Sequence, residues 1–212
     1  MAAKKTQAAG TAQQQPKITR MEIRTVVFEI EAFDEGSILV THQWSEKAKK
    51  EMRDKQQKKA RGPRAPKDPQ AEYEAARYLN ENGKDCVPAI AFKKAIVDAA
   101  SFSDDATKVL LRGSVFVPGE FIEIHYKEIA RREDVVKIQM SSDLRYRPEY
   151  KGWSMQLPVQ YDASQISLEQ LVNFVARAGF SIGIGEHRPQ KNGQNGRFRV
   201  SSYKESSKPS TA

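Results

Sequence analysis

Two stretches of the chain alternate apolar and polar residues with a period of two. In residues 23–33, Phe28 and Ile30 alternate with glutamates. Residues 152–161 show the same alternation, and their apolar members are Trp153, Met155, Leu157, Val159 and Tyr161. Successive side chains of a β-strand point to opposite faces of its sheet. Both stretches are therefore predicted to be strands with one buried face.

Helical patterns lie between and after these strands. The strongest covers residues 166–180, where Ser167 can cap a helix, Gln170 stands at the capping-box position and Gly179 suits its end. Two further helices are predicted over residues 71–79 and 87–102. The longer of these two is apolar enough to pack on a sheet, whereas the shorter is amphipathic.

Weaker β patterns complete the order of elements. Two short strands interrupted by Pro-Gly, a third strand, an extended aromatic piece and a closing strand are predicted in residues 112–126, 135–140, 143–150 and 197–203. The order β-α-β-β-α-β is that of the ferredoxin-like unit, an α+β fold in which two helices cover one sheet face and leave the other free. The predicted domain spans 21–202, with insertions at 45–70 and 119–150 and disordered ends at 1–20 and 203–212.

The charge of the chain is concentrated in three segments. The 212 residues have a formal net charge of +8 and a pI near 9.5. Residues 1–20, 45–69 and 181–212 carry +4, +6 and +4, so the remainder carries −6. Concentrated basic segments bind polyanions by releasing counterions, although lysine-rich segments also serve only to keep a protein soluble. This distribution favours a nucleic-acid ligand.

Other classes of protein are disfavoured by composition. No apolar run approaches the roughly 18 residues that span a bilayer, and the N-terminal residues lack the apolar region of a secretory signal. The single cysteine, Cys86, forms no intramolecular disulfide or zinc-binding pair. The three histidines are scattered. We expect a cytoplasmic protein of a bacterium or a phage-infected cell, with no membrane contact, metal or cofactor.

A glycine-rich basic loop follows the last predicted helix. Its glycines are Gly183, Gly185, Gly193 and Gly196, and its cations are Arg188, Lys191, Arg197 and Arg199. Glycines permit close approach of a ligand, and backbone N–H groups with nearby cations bind anions. The loop follows a helix and precedes a strand, so it is neither a Walker A loop nor a dinucleotide-binding fingerprint. It is predicted to contact phosphate, and a basic surface turn is the alternative.

Further phosphate contacts are predicted at a helix start and in the first insertion. Lys93 and Lys94 lie about one turn into the predicted helix that begins near Pro88. The insertion contributes Lys55, Lys58, Lys59 and Arg61. For Lys94 alone, the alternative of a solvated lysine is favoured.

Aromatic residues interleaved with arginines predict base stacking. Residues 145–150 contain Arg145, Tyr146, Arg147 and Tyr150 in what is expected to be an exposed segment. Arginine can hold phosphate while tyrosine stacks on a base. The alternative is a β-hairpin whose tyrosines cover the core. Trp44 is another stacking candidate, with a core position slightly favoured over it.

The helix start and the glycine-rich loop together resemble the RAMP superfamily, the ferredoxin-like proteins of CRISPR effector complexes. The layout is most similar to the backbone subunits that polymerise along a guide RNA. It also resembles a group of bacteriophage proteins that end in GxGEwRP…GRF. The matching residues here are Gly183, Gly185, Glu186, Arg188, Pro189, Gly196, Arg197 and Phe198, with His187 in place of an aromatic residue. The resemblance covers about residues 23–201 and implies repeated protomers on single-stranded or guide nucleic acid.

The predicted function is therefore non-catalytic binding of single-stranded nucleic acid, RNA or DNA, by a cooperative head-to-tail homo-oligomer. Other subunits of a nucleoprotein complex are further expected partners. One alternative is a RAMP-type, metal-independent endoribonuclease, for which His42 is a weak candidate base because no orienting partner is visible. The other alternative is a phage structural or assembly protein that oligomerises without nucleic acid.

Overall fold

The computed structural model describes residues 21–44, 49–50, 52–53, 66–138 and 141–205. The strands are β1 Ile23–Ala32, β2 Leu39–Val40, β3 Cys86–Pro88, β4 Val115–Phe116, β5 Phe121–Glu123, β6 Glu128–Ile138, β7 Ser141–Lys151, β8 Ser154–Asp162 and β9 Phe198–Glu205. The helices with defined bounds are α1 Pro69–Ala76, α2 Ala89–Ala99, α3 Lys108–Ser114 and α4 Leu168–Arg177. The fold is α+β, as predicted.

Four strands form the larger sheet in the order β4-β8-β1-β9, and every neighbouring pair is antiparallel. The alternation in β1 and β8 is confirmed, because Phe28 and Leu157 are partners in the register and both are fully buried. Helices α2 and α4 contact each other, and they contribute Phe92 and Phe174 to the core on the sheet face that carries Phe28 and Leu157. Burial of these side chains provides the main stabilising free energy of the sheet.

The opposite face of the larger sheet is not fully open, which corrects the expectation of a free face. A groove of about 380 Å³ there is lined by Val27 and Pro158 from the sheet and by Phe121 and His125 from the segment after β4. That segment is tied to the sheet because the backbone N–H of His125 donates to the carbonyl of Ser154 at 2.9 Å. Strand β5, which pairs with β3, therefore lies beside this face.

Helix α4 begins as the sequence predicts but ends differently. The Ser167 side chain accepts from the Gln170 backbone N–H, and the Gln170 side chain accepts from the Ser167 N–H, so the capping box is present. Gly179 does not end the helical segment, which continues as a π-helix over Ala178–Ile182. A Cβ on Gly179 would lie 2.1 Å from the Phe198 carbonyl oxygen, so the glycine permits contact between this turn and β9.

A second sheet has the order β2-β7-β6, in which β6 and β7 form a long hairpin. The predicted strand at 135–140 is too short, because β6 begins at Glu128. Charged side chains obscure the alternation of apolar residues here. Arg132 of β6 pairs with Glu149 of β7 at 2.8 Å, and Asp134 of β6 pairs with Arg147 of β7 at 3.2 Å. Such cross-strand pairs stabilise a hairpin without an apolar pattern.

A buried carboxylate joins this second sheet to the β3 region. The Asp85 side chain is 1% exposed. It accepts from Arg77 Nε and Nη2 at 2.8 and 2.6 Å, from Tyr126 Oη at 2.9 Å and from Tyr150 Oη at 2.8 Å. These donors come from the end of α1, from the segment after β5 and from β7, so Asp85 fixes three parts of the chain relative to one another.

The chain ends fall partly outside the described residues. The predicted arm at 1–20 and most of the insertion at 45–70 lie there, as do residues 206–212. The predicted tail begins too early, because β9 extends to Glu205 and pairs there with Val26. Within the part of the chain that the structure describes, no helix is long and apolar enough to cross a membrane.

Candidate nucleic-acid interface

An aromatic cleft lies where the segment after β2 meets α1, α2 and β5. Its volume is about 420 Å³. The residues that line it are Gln43, Trp44, Lys49, Tyr78, Pro88, Ile90, Gly119, Glu120 and Phe121. The Tyr78 and Phe121 rings are 6.1 Å apart between centroids. We call this feature the Trp44 cleft, and it combines flat apolar surfaces with a lysine among its lining residues.

Trp44 is 47% exposed, so the expectation that it packs in the core is wrong. The guanidinium carbon of Arg145 lies 5.7 Å from the centroid of the Trp44 ring. The Trp44 ring also contacts the His42 ring edge-on, with 5.9 Å between the two ring centroids. An exposed indole held beside a guanidinium and open to a cleft has the geometry of a platform for a planar ligand.

His42 is half-buried, and this burial together with the charges of Arg147 and Arg145 lowers its pKa to about 4. The imidazole is therefore neutral and only weakly basic at pH 7. Its Nδ1 atom is buried and has no hydrogen-bond partner in the described structure. The orienting partner that a general base needs is likewise missing from the described residues. The position of His42 suits packing against Trp44.

The hairpin candidates are less exposed than the sequence suggests. Tyr150 is fully buried and donates to Asp85, so it presents no face for stacking. Tyr146 is 9% exposed, with the Arg131 guanidinium 6.0 Å from its ring. Arg147 is buried and pairs with Asp134 at 3.2 Å. The expectation of an exposed segment at 145–150 is wrong, because these side chains pack between the hairpin and the rest of the chain.

The glycine-rich loop packs against itself and against β2. The Gly196 N–H donates to the Ile38 carbonyl at 2.7 Å, and the Glu186 N–H donates to the Val40 carbonyl at 2.8 Å. A Cβ on Gly193 would lie 1.7 Å from the His187 carbonyl oxygen. The backbone N–H groups of Ile184, Lys191, Asn192, Gly193 and Asn195 also donate within the loop. These glycines therefore allow close backbone packing, and these amides are already used.

Gly183 and Gly185 have the same structural role. Their φ angles are +67° and +74°, a region that residues with a Cβ seldom adopt. A Cβ on Gly183 would lie 2.7 Å from the Pro189 side chain, and one on Gly185 would lie 2.3 Å from the Val40 carbonyl oxygen. Close packing within the protein is therefore sufficient to account for these two glycines.

Two of the predicted loop cations are engaged with acidic residues. Arg197 pairs with Asp34 at 3.0 Å, and Arg199 pairs with Glu31 at 2.9 Å. Arg188 instead donates from Nε and Nη2 to the Gln190 side-chain oxygen and from Nη1 to the Gly185 carbonyl. Lys191 is exposed in the 3₁₀ turn that follows Arg188. Arg188 and Lys191 are thus the loop cations best placed to meet an anion.

The two helix lysines differ in their surroundings. Lys93 Nζ lies 3.8 Å from the centroid of the Phe116 ring, whereas Lys94 is exposed. The insertion candidates Lys55, Lys58, Lys59 and Arg61 lie outside the described residues. Among the residues that are described, no cluster of His, Cys, Asp or Glu could hold a metal ion.

The sequence does not reveal two aromatic members of the cleft, Tyr78 and Phe121. Tyr78 follows α1 and Phe121 begins β5, and neither belongs to a basic or glycine-rich motif. The Tyr78 hydroxyl donates to the His42 carbonyl at 3.1 Å, which fixes its ring beside the segment that carries Trp44. Only the folded chain brings these three rings together.

No protein-family model matches this chain, and a search of curated proteins finds no match. Among solved structures, the chain is similar to one from the type III-B Cmr-beta complex bound to cognate target RNA, with a TM-score of 0.46 and 8% identity. The match covers 87% of this chain and 61% of that one. The chain is also similar to Cmr6 from Pyrococcus furiosus, with a TM-score of 0.43 and 9% identity over 85% of this chain and 100% of that one. At these identities and TM-scores, the likeness carries no statement about function.

Proposed function

We propose that this protein binds single-stranded nucleic acid without cutting it. The observation that carries the proposal is the exposed Trp44 ring at the mouth of an aromatic cleft, with Arg145 beside it. Stacking of a base on an aromatic side chain contributes about 1–3 kcal/mol and tolerates any sequence, because every base has a π-face. Paired bases are already stacked in a duplex, so this platform favours single strands.

Charge supports the same ligand. The chain carries +8 overall, and its basic residues are concentrated in segments while the remainder is acidic. Lys49 lines the cleft, and Arg145 lies against the Trp44 ring. A base on Trp44 would therefore bring its phosphates near these cations. Counterion release then adds to affinity.

We also infer a ferredoxin-like arrangement of the larger sheet. In chain order, β1, α2, β4, β8, α4 and β9 follow the β-α-β-β-α-β pattern. The sheet order β4-β8-β1-β9 and its antiparallel pairings support this inference. The hairpin β6–β7 and the strands β3 and β5 are then additions to that unit.

Head-to-tail assembly along the strand is the proposed mode of binding. Among the described strands, β9 pairs only with β1, and β6 pairs only with β7. Each therefore has an unpaired edge, and such edges are places where copies of a chain can meet. Repetition of one contact between unlike surfaces produces an open array, which suits a ligand of unlimited length.

Titration with labelled oligonucleotides tests the proposal. We expect single-stranded RNA and DNA of about 20 nucleotides to bind, with affinity falling steeply as salt rises from about 0.05 to 0.2 M. A duplex of the same sequence is the control and should bind more weakly. RNA should be recovered intact, and longer strands should bind cooperatively and appear coated in electron micrographs. An absence of binding, or binding that salt does not weaken, contradicts the proposal.

A further inference from the structure

Asp98 lies on the outer side of α2 and is held by two other segments of the chain. Its Oδ1 accepts from Lys108 Nζ of α3 at 2.9 Å, and its Oδ2 accepts from Gln190 Nε2 at 2.7 Å. The oxygen of the same Gln190 amide accepts from Arg188 Nε at 3.1 Å and Nη2 at 3.0 Å. A single carboxylate is thus connected to a lysine directly and to an arginine through one amide.

More cations surround this carboxylate. Lys94 is exposed one turn before Asp98 on α2, so the two side chains share a face of the helix. Arg112 lies one turn after Lys108 on α3, and its positive charge contributes to lowering the pKa of Asp98. Lys191 follows Gln190 directly and is exposed. The Asp98 cluster therefore consists of one carboxylate, the Gln190 amide and five cations: Lys94, Lys108, Arg112, Arg188 and Lys191.

The guanidinium of Arg188 is held in place by hydrogen bonds to neutral groups. Among the described residues it forms no ion pair, and its N–H groups donate to Gln190 and to the Gly185 carbonyl. The loop that carries it is rigidly placed, because glycine contacts and backbone hydrogen bonds hold it against β2. The arginine is thus preorganised beside the Asp98 carboxylate without contacting it.

We propose that the Asp98 cluster is a phosphate subsite for the nucleic-acid strand, and that in the free protein the Asp98 carboxylate occupies the place of the phosphate. A phosphodiester, like a carboxylate, has two terminal oxygens that share one negative charge, and it accepts from the same ammonium and amide donors. Rotation of Asp98 away from Gln190 would release the donors to the ligand. Asp98 then lowers the affinity of this subsite by competition and by repulsion of the incoming phosphate. This inference rests on the proposed function.

The substitution Asp98→Asn tests the inference. Asparagine keeps the size of the side chain and can still accept from Lys108, so the fold should be retained. We expect single-stranded oligonucleotide to bind about 5-fold more tightly at about 0.1 M salt, and the dependence of log affinity on log salt to steepen by about 0.7 for one added phosphate contact. The steeper dependence is the feature that a merely structural role of Asp98 would not produce.

A matched control is Glu81→Gln, which removes the same charge from an exposed turn outside the cluster. It should leave the salt dependence unchanged. The double variant Asp98→Asn with Arg188→Gln should lose the gain in affinity, because the subsite then has no guanidinium at position 188 to bind the phosphate.

The outcomes separate the inference from the proposed function. If the wild-type protein binds the strand but Asp98→Asn binds no more tightly, or if Glu81→Gln gains as much, the inference is overturned and the function stands. If neither the wild-type protein nor any variant binds the strand, the proposed function fails and the inference fails with it. A steeper salt dependence confined to Asp98→Asn supports both.

Discussion

Replacement of Trp44 by alanine is expected to weaken the binding of single-stranded oligonucleotides by about 10- to 100-fold. The indole is 47% exposed and forms one side of the Trp44 cleft, so its removal takes away the platform on which a base would stack. The neighbouring cations Arg145 and Lys49 remain, and the salt dependence of the residual binding should therefore change little. Fluorescence anisotropy with labelled RNA and DNA at several salt concentrations measures both quantities.

Two controls sharpen this result. Trp44→Phe keeps an aromatic face and should recover most of the lost affinity. Phe102→Ala removes another exposed aromatic side chain, 52% exposed, that does not line the cleft, and it should leave binding unchanged. Equal losses for Trp44→Ala and Phe102→Ala, or full affinity in Trp44→Ala, would remove the cleft from the proposed function. Thermal unfolding of each variant confirms that the fold is intact.

Asp85→Ala is expected to lower the free energy of unfolding by about 3–5 kcal/mol, the cost of breaking a buried charged network by removing one partner. The variant leaves the Tyr150 hydroxyl, whose side chain is fully buried, without its acceptor. It also leaves the Arg77 guanidinium without its carboxylate. Denaturant unfolding of the wild type and the variant at pH 7 measures the difference.

The effect of Asp85 should depend on pH in a defined direction. Burial acts to raise the pKa of Asp85, but hydrogen bonds from Arg77, Tyr150 and Tyr126 outweigh it and hold the pKa below its usual value. Because the pKa is lower in the folded than in the unfolded state, the stabilisation is fully present above the unfolded value of about 3.9. It is lost as pH falls through the lower pKa of the folded state.

The stability difference between wild type and Asp85→Ala should accordingly shrink in strong acid. A matched control is Asp104→Ala, which removes an exposed aspartate from the turn before α3 and should cost less than about 0.5 kcal/mol. A difference below about 1 kcal/mol at pH 7 for Asp85→Ala, or one that grows in acid, would contradict the role assigned to this carboxylate.

Local signals in the sequence were strong where one face of an element is buried. The alternation around Phe28 and Leu157 predicts β1 and β8, and the Ser167–Gln170 capping box predicts the start of α4. The sequence predicts only part of the hairpin β6–β7, because its cross-strand ion pairs involve charged residues that do not follow an apolar period. Asp85 follows the polar residues 80–84, and nothing in this local sequence indicates that its carboxylate is buried.

The candidate site was predicted less well than the fold. Trp44, Arg145 and Arg188 were selected from the sequence, and the structure places the first two in contact. The sequence predicts that the glycines allow a ligand to approach the loop closely, whereas several backbone N–H groups of the loop donate to carbonyls of the loop itself or of the β2 segment. A glycine needed for a ligand and a glycine needed for close backbone packing look identical in sequence.

The sequence by itself determined the α+β order of elements, the basic segments and the absence of a long apolar run, because these depend on neighbouring residues and on composition. Only the tertiary structure decided which candidates are accessible. It buried Tyr150 and Arg147, exposed Trp44 and joined it to Tyr78 and Phe121 in one cleft. It also brought Asp98, Lys108 and Gln190 together from three segments. Contacts between distant residues follow from packing of the whole chain, and a local pattern carries no information about them.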